Sequence, residues 1–403
     1  MKAQTQHIDM SNHLPDDVAL KLLQRLPVKS VIRFRCVSKS WNSLITSPYL
    51  ITSHLTRSLS NSSDKLIVRH RTFHTNIEHY KVIHENNDSF YQQLDHCPRI
   101  PNFYFTGSVN GLLCFYSNID RIILWNPSIR KFFTLPKPPI NFYSTFCRCH
   151  DGFGFDPVTN DYKVMTVTYH YSNDEPKEEE RVRLVQVQVY SLNEGSWRIL
   201  TSAAASFPPW ITFSRYGSSG GRATSFNGAL HFAARHKDFT NSVSVLSFDF
   251  GDEVFRVSMP LNLVKVIGRK ISTFVFRESL SLLCYDTYNN RCSIWIMKEY
   301  GVVDSWTKHI IFELGGITRV LGVRRNGHLL VEEIVEETPN LDSSKLYSYD
   351  PETQQGTNLN LLIWGKQNSF YVDDYMENLV LLNKPTTRVV VVSKKSKERK
   401  SGR

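Results

Sequence analysis

A turn-into-strand signal recurs through most of this chain at a spacing near fifty residues. Asn110-Gly111-Leu112-Leu113, Asn227-Gly228-Ala229-Leu230 and Asn326-Gly327-His328-Leu329 carry it in full, and weaker cognates begin at Asn160 (NDYKVMTV), Glu278 (ESLSLLCYD) and Glu377 (ENLVLLN). The six starts are separated by 50, 67, 51, 48 and 51 residues. Asn-Gly ahead of an apolar run is a hairpin signal, because both residues accept positive φ. A period of about 40 to 50 residues belongs to β-propeller blades, small sheets that bury their faces only against their neighbours.

Each unit also has a second half. Trp125-Asn126-Pro127 turns into Phe132 and Leu135, and Tyr190-Ser191-Leu192 turns at Glu194-Gly195 into Trp197 and Leu200. Phe248-Asp249-Phe250 turns at Gly251-Asp252 into Phe255, Trp295-Ile296-Met297 turns near Gly301 into Trp306, and Tyr347-Ser348-Tyr349 turns at Asp350-Pro351. The longest interval holds an acidic stretch, Asp174 to Glu180, and a Pro/Gly/Ser-rich stretch, Ser206 to Gly221, which read as loop insertions. The sixth unit lacks a complete second half. Strands between Leu66 and Phe105 (LIVRH, HYKVIHE, FYFTG) are expected to complete it, closing the ring with both ends of the chain and leaving no open edge. The expected body, residues 65–392, is all-β with six blades; seven blades or a β-sandwich are the alternatives.

Ahead of the body, Leu14 to Leu55 reads as a small helical module. Pro15 suits the first position of a helix, where a missing N–H costs nothing, and Asp16 and Asp17 complement the helix dipole. Val18, Leu22, Leu23 and Leu26 form one apolar face, which Pro27 ends. A second helix is expected from Val28, a third capped by Ser38, and a fourth from Ser47-Pro48. About 40 residues rarely make a self-sufficient core. The module therefore either packs on the body or keeps an apolar surface for a partner. Residues 1–13 and 393–403 are expected to be disordered, and the serine-rich residues 56–64 have linker composition.

Leu14-Pro15-Asp16-Asp17, then Leu26-Pro27-Val28-Lys29-Ser30-Val31, then Arg33-Phe34-Arg35-Cys36-Val37-Ser38-Lys39-Ser40-Trp41 closely resembles the F-box of plant F-box proteins. NGLLCFY, ILWNPSIRKFFTLP, GFGFDPVTNDYKV, VQVYSLNEGSWR, IWIMKEYGVVDSWTK and YMENLVLLN resemble the F-box-associated interaction domain of that family, which includes kelch-related and S-locus types. The double-glycine kelch pattern itself is not clear. The resemblance implies an α+β multidomain chain, a helical F-box (14–55) followed by an all-β propeller-like domain. It implies a Skp-family adaptor as partner and, through it, the cullin and RING subunits of a ubiquitin ligase. The implied contacts are Leu14, Pro15, Val18, Leu22, Leu26, Pro27, Val28, Lys29, Ser30, Val31, Phe34, Arg35, Val37 and Trp41, several of which must also hold the helices together. The body is then expected to recruit a substrate protein for ubiquitination, with no bond chemistry of its own. The aromatic insertions Phe142, Tyr143, Phe146, Phe207, Trp210, Phe213 and Tyr216 are the candidate substrate contacts, against the expectation that half of them tuck under the ring.

Composition narrows the remaining classes. The net charge of +10 is uneven, since Lys394 to Arg403 holds six Lys or Arg against one Glu, and Leu14 to Leu55 holds six basic against two acidic residues. The body is close to neutral, so no nucleic-acid-binding stripe is expected. The basic tail reads as solvated, with nuclear import as a weaker reading. No apolar run reaches about 18 residues and the first 13 are polar, so no membrane span or secretory signal is expected. Seven irregularly spaced cysteines fit a reduced cytoplasmic or nuclear chain.

Gly217-Ser218-Ser219-Gly220-Gly221 matches G-x-S-x-G without the strand and helix a nucleophile elbow needs, and reads as a loop. Cys147-Arg148-Cys149-His150 lacks a second pair of zinc ligands and also reads as a loop. No cofactor or metal is expected. A propeller enzyme, or an F-box scaffold outside a ligase, is the alternative function.

Overall fold

The computed structural model describes residues 15–60, 65–71, 78–84, 91–94, 103–117, 121–139, 147–171, 182–213, 223–236, 242–259, 264–265, 271–286, 289, 291–313, 319–324, 326–335, 343–364 and 371–385. It opens with four helices, α1 (Asp16–Leu23), α2 (Val28–Phe34), α3 (Lys39–Ile45) and α4 (Pro48–Ser60). Pro15 lies one place outside its expected position, while Pro27 directly precedes the helix expected from Val28. Each is an N-cap with extended backbone (ψ 141° and 146°) whose carbonyl accepts the first amides of the helix. Ser38 Oγ accepts from Trp41 N at 3.1 Å and Ser47 Oγ from Leu50 N at 3.2 Å, so both expected serine caps form. The fourth helix overrides the expected linker as far as Ser60. Ile51, Leu55 and Leu59 recur every fourth residue and pack on the core, which outweighs the serine-rich composition.

The body is a ring of six sheets. The first begins with β1 (Lys65–Arg71), β2 (Glu78–His84) and β3 (Tyr91–Gln93). The second holds β4 (Phe103–Val109), β5 (Leu112–Ser117), β6 (Arg121–Asn126) and β7 (Lys131–Thr134). The third holds β8 (Cys147–Asp156), β9 (Asp161–Tyr171), β10 (Val182–Ser191) and β11 (Ser196–Ile199), followed by the short helix α5 (Thr201–Ser206). The fourth has six strands, β12 (Ile211–Phe213), β13 (Thr224–Phe226), β14 (Ala229–His236), β15 (Ser242–Asp249), β16 (Phe255–Val257) and β17 (Val264–Lys265). The fifth holds β18 (Ile271–Phe276), β19 (Ser279–Asp286), β20 (Arg291–Met297) and β21 (Trp306–Glu313). The sixth holds β22 (Arg319–Val323), β23 (Leu329–Val335), β24 (Ser343–Asp350) and β25 (Gln355–Trp364). The last strand, β26 (Tyr371–Asp374), pairs antiparallel with β1 from Leu66↔Asp374 to Arg69↔Tyr371, so both ends of the ring share the first sheet.

Five of the six expected repeat starts are the turns between the inner two strands of a blade. Asn110, Asn160, Asn227 and Glu278 all take positive φ there, and Gly327 does so in the sixth sheet. The sixth start fails. Residues 375–385, which contain ENLVLLN, are turn and irregular backbone rather than strand, because β26 has already filled the inner edge of the first sheet. The FYFTG run also moves: as β4 it opens the second sheet instead of closing the ring. Cys147 and Cys149 lie in β8 and not in a loop, while residues 217–221 lie outside the described residues.

Aromatics seal neighbouring blades. Tyr80 of the first sheet meets Trp125 of the second edge-on at 4.8 Å, Trp197 Nε1 donates to Pro136 O at 2.8 Å, and Trp306 Nε1 donates to Ser258 O at 2.5 Å. The third and fourth blades approach so closely that a Cβ on Gly154 would stand 2.6 Å from Phe250 Cε2. One hydrophobic cluster joins the helices to the ring: Leu23, Val28, Val31, Ile45 and Leu55 of the helices, Leu124 and Leu135 of the second blade, Phe153 and Tyr190 of the third, and Leu379 to Leu382. The helical module and the ring therefore share a core.

Candidate functional site

The helices leave five large apolar side chains uncovered among the described residues, Tyr49 of α4 at 64% exposure being one. Val18 and Leu22, one turn apart on α1, are 39% and 51% exposed, and Phe34 and Val37 at the end of α2 are 37% and 62% exposed. Trp41 is half-buried, its ring 5.5 Å from that of Phe34, and it packs on the shared core from the other side. Pro15, Pro27 and Lys29 are exposed, while Leu26, Ser30 and Arg35 are half-buried. Arg35 Nε donates to Asn42 Oδ1 at 2.9 Å, which ties α2 to α3. Val28 and Val31 correct the expectation. Both are sealed inside the shared core, at 1% and 0% exposure, and can reach a partner only if the module opens. Leu14 lies outside the described residues.

Below this surface, His54 on α4 points its Nε2 at Leu26 O, 3.0 Å away, at the corner between α1 and α2. Burial holds its pKa below the usual imidazole value, and the Leu26 bond opposes that shift only in part.

Antiparallel order gives the ring two unlike faces. Turns between the first and second, and third and fourth, strands of each blade lie on the helical side. There Asn160 Nδ2 donates to Thr52 Oγ1 at 3.1 Å, and Asn110 O accepts from Asn378. The connections between second and third strands, and from blade to blade, leave from the opposite face. Loops on a rigid scaffold commonly carry binding residues. Trp210 stands on this opposite face, 40% exposed, with its ring 4.9 Å from His236 at the end of β14. Phe207 and Phe213 correct the expectation, being 6% and 1% exposed in a cluster with Phe232 and Phe255. The reason is local. Phe213 belongs to β12, which shares the inner edge of the fourth sheet with β13, so the stretch expected to be a loop is partly strand. Phe142, Tyr143, Phe146 and Tyr216 lie outside the described residues.

A channel of about 560 Å³ runs between the inner strands. Its two neighbouring carboxylates are already engaged: Asp373 Oδ2 accepts from Tyr371 Oη at 2.5 Å, and Asp374 Oδ1 pairs with Arg324 Nε at 3.2 Å. Burial pushes the Asp373 carboxyl up to about 6. Among the described residues no three His, Cys, Asp or Glu side chains come together as metal ligands.

A helical module with an uncovered apolar face, fused to a six-bladed ring, is matched by family models over both parts. The F-box domain model matches residues 11–53, and the F-box associated beta propeller domain model matches residues 57–383. The chain belongs to the F-box associated beta propeller family. An F-box/kelch-repeat protein of Arabidopsis thaliana is 28% identical to this F-box protein over 330 residues, 79% of this chain and 84% of the relative. A second F-box protein of Arabidopsis thaliana is 27% identical over 399 residues, 89% of each chain. A third, a putative F-box protein of the same plant, is 31% identical over 312 residues, 73% of this chain and 66% of its own. The F-box of this family implies docking to a Skp-type adaptor, and its propeller implies a substrate-binding part.

Proposed function

We propose that this F-box protein is the substrate-recognition subunit of a Skp–cullin–F-box ubiquitin ligase, recruiting a target protein for ubiquitination and proteasomal degradation in the cytoplasm, the nucleus or both. The observation that carries this is the uncovered set Val18, Leu22, Phe34 and Val37, on a module whose other face is sealed to the ring. Each is already partly covered, so covering the rest contributes roughly 0.5–2 kcal/mol, and an adaptor that covers all four gains an anchor. The protein then acts by placement: the F-box holds the adaptor, the adaptor leads to the cullin and RING subunits, and the ring holds the target on its far face. Holding target and charged enzyme together raises effective concentration without activating a nucleophile. Purification of the full chain with a Skp-family adaptor tests the reading. Cullin is expected to co-purify, and proteasome inhibition is expected to enrich a specific target. Adaptor without cullin supports a scaffold outside a ligase, and no adaptor removes the proposal.

A further inference from the structure

Residues 375–384 connect the F-box to the ring without being helix or strand. Glu377 grips both bodies at once. Its Oε2 accepts from the amide of Val28, the first residue of α2, at 3.3 Å, and its Oε1 accepts from Lys65 Nζ, at the start of β1, at 2.8 Å. The next residue, Asn378, is fully buried against the second blade. Its Nδ2 donates to Asn110 O at 2.9 Å, its Oδ1 accepts from Asn126 Nδ2 at 2.6 Å and from Val380 N at 2.9 Å, and its own amide donates to Ser128 Oγ at 3.2 Å.

Beyond Asn378 the segment stays pinned. Lys131 Nζ donates to Leu382 O at 3.0 Å and also to Lys384 O, while Lys384 Nζ reaches Leu192 O of the third blade at 2.7 Å. Leu379 to Leu382 enter the same core as Val28 and Val31. Leu381 holds φ at +72°, a left-handed backbone that leucine keeps only where its surroundings over-determine it. Gly111 is shaped to admit the segment, since a Cβ there would stand 2.1 Å from Met376 O.

We propose that Glu377 and Asn378 are positioning residues, which fix the angle and distance between the F-box docking face and the recognition face of the ring. This role rests on the ligase reading above for its purpose. A target is modified only where the charged enzyme reaches, so a fixed spacing selects which of its lysines are within range.

The test uses the full chain with Glu377→Ala and Asn378→Ala combined, and Glu377→Gln alone. The wild type is expected to unfold in one calorimetric transition and to scatter X-rays in solution as a single rigid body. The double variant is expected to show a wider spread of F-box-to-ring distances in scattering, while the shared apolar core still holds the two in contact. Deuterium exchange at the Val28 amide is expected to rise at least about tenfold, the loss of a charge-assisted bond, while adaptor affinity stays within about twofold. A lower transition temperature with unchanged scattering would mean a merely structural role and would overturn the proposal. Should the double variant fail to fold, Glu377→Gln is read by the same scattering and exchange, and no change in either overturns it. Scattering and exchange need no adaptor. Failure of the wild type to bind one therefore counts against the ligase reading alone.

Discussion

Asn126 and Asn378, 252 positions apart, meet side chain to side chain at 2.6 Å in a fully buried site. The Asn126 amide also donates to Asn378 O at 3.2 Å and to Val380 O at 2.7 Å, while its oxygen caps the turn through Ser128 N at 2.9 Å. Only an amide can both donate to the C-terminal segment and accept from its own turn. Asn126→Asp keeps the shape and the turn but turns the donor into an acceptor facing three other acceptors. It is expected to cost at least as much as Asn126→Ala, about 2–4 kcal/mol, measured by urea unfolding. A different turn, between β8 and β9 of the third blade, carries Asp156 ahead of a proline, and there the acid is matched by Lys163 Nζ at 2.7 Å.

The docking surface and the module's core separate by substitution. Leu22→Asp with Val37→Asp places charge on side chains 51% and 62% exposed, so stability is expected to change by about 0.5 kcal/mol or less each. Adaptor capture is expected to fall at least about a hundredfold, read by titration calorimetry. Val31→Ala, at a site of 0% exposure, is expected to lower the melting temperature instead, through a loss of about 1–3 kcal/mol.

On the far face, Trp210→Ala is expected to weaken target capture with little change in melting temperature, because the ring is 40% exposed. Phe213→Ala is expected to cost about 3–5 kcal/mol, because its ring lies 4.8 Å from Phe232 in the core. Thermal unfolding alongside a capture assay separates the two.

Acid should expose the buried histidine of the fourth blade. His231 Nδ1 lies 2.5 Å from Ser247 Oγ and its Nε2 3.3 Å from Tyr300 Oη, and burial pushes its pKa down to about 4. Between about 6.5 and 4 the unfolded chain takes up a proton that the folded one refuses, so this residue's contribution is lost as pH falls. Asp151, raised to about 7, and Asp373, raised to about 6, act with the opposite sign over the same range, both by desolvation. Comparison with His231→Gln isolates the histidine. The stability gap between wild type and variant is expected to shrink by roughly 3 kcal/mol from pH 7 to pH 4.

Two glycines should respond in different ways. Gly154→Ala drives a methyl into Phe250 and Leu230, at 2.6 and 2.9 Å, and is expected to cost about 1–3 kcal/mol by overpacking between blades. Gly195 has open space around it but holds φ at +71°, so alanine there is expected to cost only about 1 kcal/mol, from backbone strain. Urea midpoints distinguish them.

Much of the ring was legible because its turns demand unusual backbone. Asn110, Asn227 and Gly327 announce themselves through residue types that tolerate positive φ. Arg277 and Glu278 adopt the same geometry without glycine, and only the spacing reveals them. What misled was apolar runs whose partner is not another strand. ENLVLLN has the composition of a strand, but its leucines enter a core shared with helices, a long-range fact no local pattern encodes. Val28 and Val31 carry the same ambiguity, since an interface valine and a core valine look alike until α4 and the C-terminal segment cover one side. Glu377 reads only as a repeat start and not as a bridge, because its two partners lie 349 and 312 positions away.

The pairing of β26 with β1 has a consequence during synthesis. On the ribosome the helices emerge first and the strip that completes them emerges last of all the described segments. Until residues 371–382 have left the exit tunnel, the nascent polypeptide has an unzipped ring and a greasy, half-covered head. A product stopped before residue 371 thus leaves the β1 edge unpaired and part of the helical core bare, the two features that make an incomplete chain prone to aggregate.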